Sequence, residues 1–454
     1  MTVVASVERA LRNATSAEVV RPTAHYLTDE TEMRGLHGHA DAVALPRTAA
    51  EVAEIVGWCY EHGVAVVPRG GGTGYAAGAV PLDGGVVVAL ERLTRVRSFE
   101  PTLWRMEVEA GVTTAEVRRR AREGGLLFPP DPGGAEQSQI GGNVATNAGG
   151  PHAYKYGVTG SWVTGVEVVV APGDLVQLGG PLRKDVAGYD LTALLVGSEG
   201  TLGVITSVWL RLMPAPEAAW PVVAFFDDVR AGCGAIERVV GTGLPAAAIE
   251  YLDENTMRLA GAGFPAEIPP GMFCVVTEAD GSHDEAARVR EELMEVLGED
   301  ARAVHAPEST EEIAALWRWR EGVTLRVEAH RGGKVSEDIA VPLDRLGEGI
   351  EESLAIGARL GLPAASWGHA GDGNLHTTYL IDRTVADERR TAAQASDELF
   401  GLALRLGGTI SGEHGVGAVK RAWLERRLGP KAAALHAAVK QAFDPQNLLN
   451  PGKK

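Results

Sequence analysis

Two short stretches of this chain carry the residue types of a metal-assisted catalyst. One is Trp367-Gly368-His369-Ala370-Gly371-Asp372-Gly373-Asn374-Leu375-His376, and the other is Ser411-Gly412-Glu413-His414-Gly415. Gly371 to Asn374 has turn composition, and the residues on either side can run as strands. With the turn centred between Asp372 and Gly373, His369 and His376 fall directly opposite each other, where cross-strand Cβ atoms are roughly 5 Å apart. Both imidazoles then reach one metal ion, and Glu413 adds a carboxylate, giving a His2Glu shell with an open position. Zinc suits these nitrogen and oxygen donors best, with manganese or iron as alternatives. His414 is left over as a general base beside the open position. The plainer alternative is two hydrogen-bonding histidines on a tight hairpin, and the Glu-His-Gly segment weighs against it.

Positioning such a site takes a large framework. At 454 residues with a hydrophobic fraction of 45%, the chain is long enough for two or three domains. A formal net charge of −17 argues against nucleic acid as a partner and supplies no polybasic membrane anchor. Residues 1–20 read as an amphipathic helix rather than a leader, and no apolar run approaches the roughly 20 residues of a membrane span. Cys59, Cys233 and Cys274 are scattered, which points to reduced thiols and a cytoplasmic protein, with peripheral membrane attachment as an alternative.

The first block, to about Val80, alternates strand and helix. Asp41 to Leu45 reads as a strand. Thr48 to Glu51 is a capping box opening a helix that buries Val52, Ile55, Val56 and Cys59, and Gly63 stops it. Val64 to Val67 is a buried strand, followed by Pro68-Arg69-Gly70-Gly71-Gly72-Thr73-Gly74. That many glycines let backbone N–H groups converge on a pyrophosphate. The order is not Gly-x-Gly-x-x-Gly, and another strand (Val86 to Leu90) follows instead of a helix, so a nicotinamide-type site is disfavoured.

The second block, from about Gly84 to Pro216, is strand-rich. It holds Phe128 to Gly134, with Asp131 and Pro132, and then Ile140-Gly141-Gly142-Asn143-Val144-Ala145-Thr146-Asn147-Ala148-Gly149-Gly150. Gly188 to Leu191 and Gly197-Ser198-Glu199-Gly200-Thr201-Leu202-Gly203-Val204-Ile205-Thr206 complete it. Small residues interleaved with Asn and Thr can line a slot for a flat, phosphate-bearing cofactor. Four such runs bounded by Val/Ile segments argue against a linker.

These segments resemble the FAD-binding domain of the vanillyl-alcohol oxidase superfamily. The similarity is to the branch of D-lactate dehydrogenases, the glycolate oxidase flavoprotein subunit and D-2-hydroxyglutarate dehydrogenases. It runs from about Tyr26 to Asn450, taking in the two histidine motifs and the ending Phe443 to Pro451. The resemblance implies an α+β fold: a bipartite FAD-binding domain of two α+β subdomains over 1–216, an α+β cap over 217–382, and a helical segment over 383–454 returning to the first domain. It places the FAD pyrophosphate on Arg69 to Gly74 and adds Asn450 to the cofactor-binding residues. Residues 68–74 contain no histidine, so the FAD is expected to be non-covalent, and His37 and His39 are expected in surface or packing roles. Gln139 stands where relatives often carry a small hydroxyl residue.

By the same resemblance, Arg320, in Trp319-Arg320-Glu321, clamps a substrate carboxylate bidentately, with an Arg320–Glu321 surface ion pair as the plain alternative. Lys334 is a second cation candidate, and Asn374 orients substrate or base. The implied reaction is oxidation of a D-2-hydroxy acid to the 2-oxo acid, with hydride passing to the flavin. Two alternatives keep the fold. One is a non-redox enzyme like alkyl-glycerone-phosphate synthase, and the other is a non-catalytic FAD-carrying subunit of a multi-subunit glycolate oxidase. Reoxidation calls for an electron acceptor: a quinone, a cytochrome, an electron-transfer flavoprotein or a partner subunit. A homodimer is compatible with all three readings.

Overall fold

The computed structural model describes residues 3–454. The expected N-terminal helix spans Val3–Ala14; Met1 and Thr2 lie outside the described residues. The chain divides into two compact units. The first comprises the residues up to Gly149, Val158–Ala215 and Glu413–Lys454, and the second comprises Gly150–Gly157 and Pro216–Gly412. The division differs from the sequence boundaries in two places. Gly150–Gly157 and residues 383–412 belong to the second unit, where helix Ala386–Arg405 packs on its neighbour Leu346–Leu360.

The first unit holds two main sheets. In one, β1 (Glu18–Val20), β2 (Ala42–Leu45), β3 (Val66–Arg69) and β4 (Val86–Ala89) lie in the order β1-β2-β4-β3, with β2, β4 and β3 parallel. Helix Ala49–Glu61 joins β2 to β3 and buries Val52, Ile55, Val56 and Cys59, as its spacing predicts. Thr48 caps it at the Glu51 N–H (3.2 Å), but Glu51 turns back to the Arg47 N–H, so the reciprocal box closes one residue early. No helix intervenes between β3 and β4.

The second sheet is antiparallel. It contains β5 (Val96–Glu100), β6 (Arg105–Glu109), β8 (Val163–Val170), β9 (Asp174–Gly179) and β10 (Val204–Arg211), in the order β5-β6-β10-β8-β9. A small ribbon pairs β7 (Leu126–Leu127) with β11 (Met213–Pro214). The free edge of β3 is covered by the C-terminal segment: Val66 donates to the Leu448 carbonyl (2.8 Å), and Asn450 donates to the Val66 carbonyl (2.7 Å). Such cover removes an open strand edge.

The second unit is built on one seven-stranded antiparallel sheet. Its strands are β12 (Ala218–Phe226), β13 (Ala248–Leu252), β14 (Phe273–Gly281), β15 (Ala303–His305), β16 (Lys334–Ala340), β17 (Ala364–His369) and β18 (Asn374–Leu380), in the order β15-β12-β14-β13-β17-β18-β16. Alternation along a strand sends successive side chains to opposite faces. Leu252, Cys274, Val276 and Trp367 meet Leu316, Trp319, Val323 and Val327 of the helices Thr310–Glu321 and Val323–Ala329. On the other face, Phe273 packs so closely on Gly232 that a Cβ there would lie 2.0 Å from its ring, and Leu375 lies beside Gly349. The register then fixes the site. Leu252, Trp367, His376 and Asp338 form one row across β13, β17, β18 and β16, and Glu250 faces His369 one step along.

Candidate functional site

The glycine run after β3 has the geometry of a cradle. Among the described residues, the amides of Gly70 to Gly74 meet no backbone or side-chain acceptor. A Cβ on Gly71 would lie 2.1 Å from the Gln137 carbonyl oxygen, and one on Gly70 would lie 3.6 Å from Gly142 Cα. Gly72 has φ of 71° above the Arg69 guanidinium, whose Nη1 donates to the Thr28 carbonyl (2.8 Å). Two glycine-bearing segments thus face each other at backbone distance, with donors left for an anion. Gly71→Ala is therefore expected to lower the ratio of flavin to protein absorbance in purified material. Gly133→Ala, where the added Cβ meets nothing within 4 Å, is the control that should leave that ratio unchanged.

Ile140–Thr146 is a helix, and its polar side chains bond to protein. Asn143 donates to Thr114 Oγ1 (2.5 Å), Thr146 to the Gly142 carbonyl (3.0 Å), and Asn147, at φ 54°, accepts from the Gly160 amide (2.8 Å). Gly141 packs on Ala110 and Gly203 on Val168, while Gly142 has open space at its Cβ position. Gly200 (φ 72°) packs on Pro68, and Val204 and Ile205 are buried in β10. The Glu199 carboxylate accepts from the Val416 (2.8 Å) and Gly417 (2.6 Å) amides, and Asn450 donates to the carbonyls of Gly78 (2.9 Å) and Glu199 (2.7 Å). The bonds of Glu199 tie its glycine-rich run to the C-terminal segment within the first unit. Asp131 and Pro132 lie on the half-buried loop between β7 and that helix, Thr73 is half-buried in the glycine loop, and Gly150 opens the segment belonging to the second unit. His37 is exposed beside Glu32 (4.0 Å), and the His39 ring lies against Gly84.

In the second unit, strands do flank the His-Ala-Gly-Asp-Gly-Asn turn, but the register differs from the expected one. Residues Ala370–Asp372 wind into a 3-10 turn closed by Gly373 at φ 66°. The added residues shift the pairing, so His376 faces Trp367, and His369 faces Glu250 on the neighbouring strand. The two histidines are diagonal rather than opposite. Diagonal neighbours still come within reach of each other's side chains: the ring centroids are 5.3 Å apart and edge-to-face, and a ring nitrogen of each lies within 4.8 Å of the other.

Two buried carboxylates organise this pair. Glu250, wholly buried, accepts from His369 Nδ1 (2.5 Å) and from Arg320 Nη2 (2.5 Å). Burial pushes its carboxyl pKa up, but the adjacent His369 and Arg320 outweigh burial and hold it below the usual value. Arg320 therefore pairs with Glu250 and not with Glu321, and its buried Nε meets no acceptor among the described residues. Asp338 sits opposite His376. It accepts from Asn374 Nδ2 (2.7 Å), Ser411 Oγ (2.8 Å) and the Gly412 amide (2.9 Å). Glu413 follows Gly412 by one peptide bond, so its Cα lies about 3.8 Å from that of an anchored residue. Within its own unit, the Glu413 carboxylate lies against Gly149, and the His414 ring stacks on Tyr75 at 4.6 Å.

Lys334 is not brought to the histidines. It starts β16, four residues before Asp338 and so roughly 13 Å along the strand, and it pairs with Glu328 at 3.1 Å. Sequence reasoning also missed Glu250 and Asp338. A lone Glu in the apolar run Ala246 to Leu252 was the available signal for the first. The second hid in the alternating strand after Lys334. Among the described residues no helix is long and apolar enough to cross a membrane, and all three cysteines are buried free thiols.

Residues 215–454 match the family model described as FAD linked oxidases, C-terminal domain, and residues 40–179 match an FAD binding domain. The chain is 37% identical over 415 residues to the glycolate oxidase subunit GlcD of Bacillus subtilis, covering 91% of this chain and 88% of that one. It is 36% identical over 426 residues to a D-2-hydroxyglutarate dehydrogenase of Xanthomonas citri (91% and 88% covered). It is 32% identical over 416 residues to a D-lactate dehydrogenase of Anaerostipes hadrus (89% and 87%). Among solved structures, p-cresol methylhydroxylase shares the fold at a TM-score of 0.78 and 18% identity, over 99% of this chain and 96% of that one. With both halves matched and relatives covered nearly end to end, the chain belongs to the FAD-linked oxidases of the vanillyl-alcohol oxidase superfamily and is an FAD-dependent oxidoreductase.

Proposed function

We propose that the protein oxidises a small D-2-hydroxy acid to the 2-oxo acid, of the D-lactate, glycolate or D-2-hydroxyglutarate type. The observation that carries this reading is one buried carboxylate, Glu250, holding a carboxylate-binding arginine and one of two adjacent histidines. A 2-hydroxy acid presents a carboxylate and a hydroxyl on neighbouring carbons, so it needs a cation and a hydroxyl-polarising group side by side. The relatives at 32–37% identity are named for oxidation of such acids. The alternative reading, a non-redox enzyme like alkyl-glycerone-phosphate synthase, has support from the fold alone, at 16% identity and a TM-score of 0.69. A merely FAD-carrying subunit has no use for the Arg320, His369 and His376 arrangement.

In this reading Arg320 binds the substrate carboxylate, for which its buried, incompletely bonded guanidinium is suited. His369, His376 and Glu413 would hold a divalent metal, zinc first by donor type. The fit rests on two buried imidazole nitrogens within 4.8 Å of each other, with the Nδ1 of one fixed by Glu250. Such an ion, when bound, lowers the pKa of the substrate hydroxyl. His414 accepts the hydroxyl proton as general base, and Asn374, anchored on Asp338, orients substrate or base. Arg69 to Gly74 would hold FAD non-covalently; when bound it would supply the hydride acceptor for the α-carbon, and a second partner would be needed to reoxidise it. Buried free thiols and the absence of a spanning helix among the described residues are compatible with a cytoplasmic site of action.

Anaerobic mixing with glycolate, D-lactate, D-2-hydroxyglutarate and D-malate tests the reading. At least one should bleach the flavin absorbance within the dead time or over seconds, and its L-enantiomer, where one exists, should not. A flavin left oxidised by all four rules the proposal out.

A further inference from the structure

Glu250 takes no part in the proposed reaction, yet it is a fully buried charge in the second unit. It lies on β13, its side chain is fully buried, and its two oxygens go to different partners: Oε1 to His369 Nδ1 and Oε2 to Arg320 Nη2, both at 2.5 Å. His369 ends β17, and Arg320 lies on helix Thr310–Glu321. One carboxylate therefore joins two elements that the sheet register alone does not align. Resting on the function proposed above, we infer that Glu250 is the positioning residue that couples the metal site to the carboxylate clamp.

The physical basis is donor arithmetic. An ionised carboxylate only accepts, so Oε1 on Nδ1 requires the proton there and leaves His369 Nε2 as the ring's lone-pair nitrogen. A carboxylate behind a ligating imidazole also raises its basicity, and losing such a partner typically costs about 10–100-fold in metal affinity. Oε2 meanwhile fixes one arm of the guanidinium and leaves Nε for another acceptor. Glutamine at 250 cannot do both: its one oxygen serves one donor, and its NH2 group confronts the other.

The test uses flavin-loaded protein, zinc, and propionate, a carboxylate that lacks the hydroxyl and is not oxidised. Zinc affinity is read by competition with a chelating dye and propionate affinity by flavin difference spectra. Glu250→Gln should weaken zinc about 10–100-fold and also weaken propionate, whereas Arg320→Met should weaken propionate and leave zinc within about twofold. Because an unpaired buried Arg320 can destabilise the fold, the double variant Glu250→Met with Arg320→Met removes both charges. Its melting temperature should recover toward wild type, and its zinc affinity should stay low. Wild-type zinc affinity in Glu250→Gln, or recovery of zinc affinity with folding in the double variant, overturns the coupling and leaves the proposed reaction standing. Failure of the wild-type protein to bind zinc, manganese or iron overturns the metal role together with the coupling.

Discussion

Replacing His414 by Asn is expected to slow anaerobic flavin reduction by about 10²–10⁴-fold while substrate affinity changes little. That is the usual cost of losing a general base, equivalent to about 2.7–5.5 kcal/mol of barrier. In the proposed reaction the proton bound for His414 leaves the hydroxyl only as the reaction proceeds, so the loss should fall on the rate of reduction rather than on binding. Asn keeps a polar planar group against Tyr75, on which the imidazole stacks, so the loop should hold its shape. Raising the pH should restore part of the rate, because hydroxide can substitute for a missing base. Following the flavin under anaerobic conditions excludes the electron acceptor from the measurement. Reduction at near wild-type speed would move the base elsewhere.

The second large effect concerns the metal. His376→Ala removes one of two buried imidazoles, and turnover should fall below detection while the oxidised flavin spectrum stays intact. A chelator applied to the wild-type protein should do the same, with activity returning on addition of zinc or manganese. On the proposed assignment, flavin and metal should be separable, because the glycine cradle and the two histidines lie in different parts of the chain. The glycine cradle sits after β3 in the first unit, and the histidine pair lies on β17 and β18 in the second. Metal analysis supplies the decisive check: fully active protein with less than about a tenth of an equivalent of any divalent ion would leave His369 and His376 a hydrogen-bonding role only.

Much of this was legible because short motifs encode local geometry. Gly70 to Gly74 announces close backbone approach, and the structure has Gly71 against a carbonyl and Gly70 against another glycine. The histidine hairpin was legible as two strands around a turn. Its register was not, because turn composition does not distinguish a two-residue hairpin from the 3-10 turn of Ala370–Asp372 with Gly373 at positive φ, and a changed loop length changes every partner. Asn143, Thr146 and Asn147 read as lining a cofactor slot, and their side chains also bond to nearby backbone and side chains, which their spacing did not foretell. The hardest part to read was long-range. Glu250 reaches His369 from 119 residues upstream, and no spacing rule connects them. Likewise Gly150–Gly157 continues a glycine-rich run in sequence but docks in the second unit, where His152 meets Glu278 at 2.8 Å and Lys155 and Tyr156 both bond Asp280.

The C-terminal segment over β3 bears on how the protein is made. Tyr60, at the end of the first unit's early helix, bonds Asp444 across 384 positions of chain, and β3 gains its edge partner from Leu448 to Asn450. At about 5–20 residues per second of synthesis, those partners reach the ribosome exit roughly 20–80 seconds after β3 does. Throughout that interval the nascent first unit carries an open strand edge and an unfinished cofactor cradle, while nearly all of the second unit is already available to fold. Cooler expression and abundant flavin should therefore matter most before Leu448 to Asn450 emerge, while β3 still lacks its edge partner.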